Sequence, residues 1–255
     1  MKNPIIVVGL GELGSVFARG FLRLGYPVQG AMRNQDLNVL AKDIPEPQAV
    51  LIAVGEADIA TVLQTIPSAW QERIILLQNE LLPRDWIAAK LPTPTVISVW
   101  FEKKKGMDSK VVIPSPIYGS QAKLVFDALG KLDLPAYIVD TEAELLYELI
   151  RKNLYILTTN IAGLEVGGNV HQLQTEHPQL LQDVAQDILE IQAYLSGQTQ
   201  DADRLMTGLL EAFAGDPEHG CMGRSAPARL KRALSFADQA NLEVATLRRI
   251  AQQRL

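Results

Sequence analysis

The chain has 255 residues, 47 % of them hydrophobic, and a formal net charge of −5. This suits one large or two ordinary domains with a substantial core and excludes a disordered chain. The acidic balance argues against nucleic acid as a partner, although a local basic site suffices to hold a small anion.

Taken in chain order, the first 140 residues alternate short apolar runs with amphipathic ones. Ile5-Ile6-Val7-Val8 is continuously apolar, as a strand covered on both faces requires. Val16, Phe17, Phe21 and Leu24 recur at helical spacing, and Gly25 stands where a left-handed cap is common. Strands are expected at 27–32, 49–54, 74–77, 96–99, 111–113 and 136–139, with a helical stripe of Ile59, Val62, Leu63 and Ile66. The alternation predicts an α/β fold: an N-terminal Rossmann-type, doubly wound, mostly parallel sheet. From residue 141 the texture is helical. Residues 142–164 form a long proline-free pattern, with Thr141 as N-cap and Glu144 as its capping-box partner. Further helices are expected from Pro178, over 203–214, 226–239 and 242–255. The predicted domains are therefore 1–140, a sheet domain, and 141–255, an all-helical one.

The single cysteine, Cys221, excludes an internal disulfide, and with His171, His177 and His219 it shows no zinc-type spacing, so no metal site is expected. No leader-peptide layout precedes the first strand, and no apolar run approaches the roughly 20 residues that span a bilayer. A soluble, cytoplasmic protein without a membrane partner is expected.

The stretch "VVGLGELGSVFARGFLRLGYPVQGAMR" carries the strongest motif. Gly9, Gly11 and Gly14 form G-x-G-x-x-G between a strand and a helix, the context this fingerprint requires. Gly9 permits the tight turn, Gly11 lets the backbone approach a pyrophosphate, and Gly14 lets helix and strand pack closely. The helix N-terminus favours the anion. The acid that binds a ribose 2′-hydroxyl is missing at the end of the second strand, where Arg33 stands instead. A guanidinium attracts a 2′-phosphate, often bidentately, so NADP(H) is expected over NAD. FAD and S-adenosylmethionine use similar loops but usually want an acid there. The plainer reading of Arg33 is a solvated surface arginine.

This N-terminal stretch resembles the start of the ketopantoate reductases (2-dehydropantoate 2-reductases), including the arginine that meets the 2′-phosphate in that family. "ILLQNE", residues 75–80, is similar to the family's strand ending in Asn, usually Asn-Gly. "LIRKNLYILTTNIAGL", residues 149–164, is similar to the helix that opens its second domain, where a lysine is followed eight residues later by an asparagine; Lys152 and Asn160 match. The resemblance spans the chain in order, strong at the N-terminus and weak in the last third, as in a divergent member. There are departures. Ile156 stands where the family has a second asparagine, and its lysine after the third strand falls near Gly55 or Glu56. Asn79 is followed by Glu80, which lacks glycine's freedom at positive φ. The family's Ser-Met is Cys221-Met222, and no acid occurs from Cys221 to Phe236, so its C-terminal glutamate is lost.

The resemblance implies an NADPH-dependent reductase of a small 2-keto acid, an oxidoreductase of pantothenate biosynthesis, with a homodimer compatible with it. NADP(H) would lie across Gly9, Leu10, Gly11, Glu12, Leu13 and Gly14, with Arg33 at the 2′-phosphate and Asn79 near the ribose. The substrate would sit between the two domains. Lys152 would be the catalytic proton donor: hydride delivery leaves charge on a carbonyl oxygen, which an ammonium stabilises and protonates. Asn79 and Asn160 would orient the substrate; Lys152 and Asn160 differ by about 80° around a helix and can border one cleft. The plainer readings are a surface Lys152 paired with Glu148 and a strand-end turn asparagine at 79. The lysines 103–105 read as a solvated loop, with attraction of an acidic substrate as the alternative, and Arg224, Arg229, Lys231 and Arg232 as an exposed helix face, with an anion site as the alternative. Trp70, Trp86 and Trp100 read as packing residues. Two further functions remain open: an NADP-binding sensor or scaffold without turnover, and a reductase of this fold with another substrate.

Overall fold

The structure, a computed structural model, describes residues 2–33 and 35–255. The chain divides into two compact units, residues 1–148 and 149–255.

The first unit is a seven-stranded sheet. Its strands are β1 (Ile5–Val8), β2 (Val28–Ala31), β3 (Ala49–Ile52), β4 (Ile74–Leu76), β5 (Thr95–Ile97), β8 (Ser115–Tyr118) and β9 (Ala136–Ile138), in the order β2-β1-β3-β4-β5-β8-β9. All neighbours run parallel except β5 and β8. The unbroken apolar runs of β1 and β3 are wholly buried, as central strands covered on both faces must be. Helix α1 (Glu12–Arg23) buries Val16, Phe17, Ala18 and Phe21. It meets α5 (Ala122–Gly130) backbone to backbone: a Cβ on Gly20 would stand 2.6 Å from the Ala128 carbonyl oxygen. Between these lie α2 (Leu37–Asp43), α3 (Ile59–Gln64) and α4 (Pro83–Ala88).

The expected strand at 111–113 is a correction. Lys110–Val111 is β7, which pairs only with β6 (Phe101–Glu102) in a separate hairpin. The main sheet takes Ser115–Tyr118 instead, a segment that Pro116 disguises. Pro116 has no N–H to give, but its carbonyl accepts from Ser98 at 3.0 Å, and Ser115 Oγ accepts from Trp100 N at 2.9 Å.

The second unit is helical. Its helices are α6 (Glu142–Val166), which begins in the first unit, α7 (Val170–Glu176), α8 (Pro178–Ser196), α9 (Ala202–Gly215), α10 (Ala226–Ala240) and α11 (Ala245–Arg254). The capping box at its start is as expected: Thr141 N donates to Glu144 Oε2 at 3.2 Å, and Glu144 N to Thr141 Oγ1 at 3.1 Å. Residues 153–163 are buried on every side, so α6 is a core helix carrying polar groups. One of them, Asn153, donates to Gln192 Oε1 of α8 at 3.0 Å. The last helix starts at Ala245 and not at 242, because Asn241 (φ +53) caps α10 and turns the chain. Among the described residues no helix is long and apolar enough to cross a membrane.

Candidate functional site

β1 ends at Val8 and α1 begins at Glu12, so residues 9–11 are the whole turn. Gly9 has φ +93, and a Cβ there would lie 2.8 Å from the Ala53 carbonyl oxygen. A Cβ on Gly14 would run into the Gly9 carbonyl oxygen. Both glycines are thus required by the protein's own backbone. Gly11 is not: it is extended (φ −72), and among the described residues nothing beyond its own chain neighbours lies within 4 Å of where its Cβ would be. The space in front of it, at the N-terminus of α1, is what a pyrophosphate needs to reach the backbone N–H groups. Leu10 projects over β2, where Gly30 leaves room for it, and Leu13 packs on the core.

Glu12 Oε2 lies 3.5 Å from Lys103 Nζ, whose side chain is only 18 % exposed. Lys103 also donates to the carbonyls of Lys104 and Met107. The solvated-loop expectation therefore fails for Lys103, because the β6–β7 hairpin folds its ammonium back toward the glycine loop. Lys104 does face solvent, paired with Glu102.

Beside the loop, at the carboxyl ends of β1, β2 and β3, opens a cavity of about 390 Å³ lined by Gly9, Ala31, Arg33, Gly55, Asp58 and Val62 among others. It stands where the strand order reverses, the place at which doubly wound sheets hold ligands. Arg33 Nη2 meets Asp58 Oδ2 at 2.7 Å there. Gly9 and Arg33 line this one cavity, and the free N–H groups at the start of α1 beside it suit a phosphate. Sequence reasoning missed Asp58, 25 residues from its partner and without a motif of its own.

Past β4, Gln78 is buried and its Nε2 donates to Ile52 O at 2.6 Å, tying β4 to β3. Asn79 is half-buried, with Nδ2 donating to Glu56 Oε1 at 3.3 Å. The backbone after Asn79 is left-handed all the same. Glu80 adopts φ +64 in place of glycine, a strain of about 1–2 kcal/mol.

In the second unit, Lys152 and Asn160 share α6. Lys152 is half-buried, with Nζ 5.5 Å from the centroid of the Tyr155 ring. Asn160 is buried, and its Oδ1 accepts from Arg229 Nη1 at 2.9 Å. Arg229, on α10, is thus half-buried against Asn160 of α6, and not part of an exposed face. The segment before it packs closely: Gly163 would set a Cβ 2.9 Å from the Cβ of Cys221, and Gly223 one 3.5 Å from Asn160 Oδ1. Burial pushes the Cys221 thiol up to about 11, so it stays protonated and is no nucleophile near neutral pH. Trp70, Trp86 and Trp100 are buried packing residues. Among the described residues no group of three or more His, Cys, Asp and Glu side chains is placed to hold a metal.

No protein-family model matches the chain, and no curated protein matches it by sequence. Solved structures do match. A 2-dehydropantoate 2-reductase from Methylococcus capsulatus aligns with a TM-score of 0.70 at 12 % identity, over 98 % of this chain and 95 % of that one. A D-mandelate dehydrogenase in complex with NADH gives 0.68 at 14 % identity, over 100 % and 97 %. A dimeric ketopantoate reductase from Staphylococcus aureus gives 0.66 at 16 %, over 98 % and 96 %. The chain has the fold of the ketopantoate reductases, at 12–15 % sequence identity.

Proposed function

We propose that the protein is an NADPH-dependent reductase of a small 2-keto acid, of the ketopantoate reductase type. The observation that carries this is Gly11: among the described residues no contact explains a glycine there, whereas a pyrophosphate in front of α1 does. Gly9 to Gly14 would hold the pyrophosphate, the neighbouring cavity the adenosine, and Arg33 the 2′-phosphate. NADP-binding is assigned to residues 1–140, and substrate binding with any dimer contact to 141–255. Bound there, the nicotinamide supplies the hydride that reduces the keto carbon. Lys152 gives the carbonyl oxygen its proton and is recharged from solvent, while Asn79 and Asn160 orient the substrate through their amides. With ketopantoate as substrate, the reaction belongs to pantothenate biosynthesis. A similar D-mandelate dehydrogenase is recorded with NADH and anilino(oxo)acetate, which supports keeping other 2-keto acids in view.

A second reading, an NADP-binding sensor without turnover, is favoured by Arg229: it engages the amide oxygen of Asn160 in a segment that lacks any acid from Cys221 to Phe236. Calorimetry tests the part common to both readings. NADPH should bind more tightly than NADH, and Arg33→Ala should cost NADPH about ten- to a hundredfold, the worth of one charge-assisted hydrogen bond. Equal affinities of the parent for both nucleotides would contradict the assignment of Arg33.

A further inference from the structure

We infer that Asp58 sets the size of the cofactor preference, by competing with the 2′-phosphate for the guanidinium of Arg33; this rests on the dinucleotide reading above. The acid missing from the end of β2 arrives from the start of α3. Asp58 and Arg33 both line it, and their side chains meet at 2.7 Å. Asp58 also stands at the N-cap of α3, where an aspartate usually accepts from the helix's first N–H groups. Here it makes no such bond, and its Oδ2 is turned to Arg33.

The consequence follows from charge. A 2′-phosphate brings close to two negative charges to a guanidinium already neutralised, and beside a carboxylate that repels it. A ribose 2′-hydroxyl brings no charge and can donate to Asp58. The same pair therefore penalises NADPH and leaves NADH untouched, so Arg33 alone overstates the preference of this site. Both side chains are substantially exposed, which makes the penalty dependent on salt.

The test is calorimetric titration of NADPH and NADH into the parent, Asp58→Asn, Arg33→Ala and the double variant at low ionic strength. Asparagine keeps the size and the capping ability of aspartate, and Asp58→Ser, a second residue suited to an N-cap, should act in the same direction. Asp58→Asn should tighten NADPH about tenfold and change NADH by no more than about twofold. In the Arg33→Ala background the gain should fall to about threefold or less, since only relieved repulsion remains. An unchanged or weaker NADPH affinity in Asp58→Asn, or an equal gain in both backgrounds, overturns the inference and leaves the dinucleotide reading intact. A parent that binds neither nucleotide overturns both.

Discussion

The glycine loop and the Asn160 face of α6 are held by different kinds of contact. In the loop, main chain meets main chain: Gly9 abuts the Ala53 carbonyl, and Gly14 abuts that of Gly9. Around Asn160, a side chain from a distant segment does the holding: Arg229 reaches its amide oxygen across 69 residues. Backbone contacts constrain only whether a side chain exists at a few positions. Side-chain contacts depend on every partner's identity and can be exchanged in compensating pairs.

Four substitutions can break or sharpen this contrast. The largest effect is expected for Gly14→Ala, because its Cβ must displace backbone; stability should fall by about 2–4 kcal/mol, read by denaturant unfolding. Gly163→Ala meets Cys221 and should cost about 1–3 kcal/mol. Its Cβ would meet the main chain of Cys221 and Met222 at 2.9 and 3.0 Å, a milder approach than that of Gly14 to the Gly9 carbonyl, so a cost larger than that of Gly14→Ala would contradict this order. Gly11→Ala enters open space, so its stability should change by no more than about 0.5 kcal/mol while NADPH affinity drops roughly tenfold or more. Loss of stability without loss of affinity would mean that Gly11 serves the fold and not a ligand. The smallest effect is expected for Glu80→Gly, a gain of up to about 1 kcal/mol from relief of the left-handed backbone, checked by the unfolding midpoint.

The same contrast explains what could be read from the chain alone. The glycine loop, the buried runs of β1 and β3, and the long α6 pattern were legible because each expresses a local rule: turn geometry, continuous burial, helical period. β8 was hidden because Pro116 argues against a strand, and the local pattern does not show that its carbonyl suffices for the ladder. Arg33 was legible as a residue type at a motif position, but Asp58 was not, since the pair forms only when β3 delivers α3 beside β2. Lys103 and Arg229 looked like solvated charge. A hairpin returns one to Glu12, and a helix start brings the other to Asn160, and neither return leaves a local signature.

The proposed activity rests on turnover of NADPH with Lys152 as proton donor. The direct measurement is single-turnover NADPH oxidation by the parent and by Lys152→Ala, at one pH, with the best substrate from a panel of 2-keto acids. The account predicts oxidation by the parent, a rate about 10²–10⁴ lower in the variant, and nearly unchanged NADPH affinity, as expected when a positioned general acid is removed from a site that does not hold the cofactor. A parent that binds NADPH and reduces no member of the panel, or a variant as fast as the parent, would contradict it.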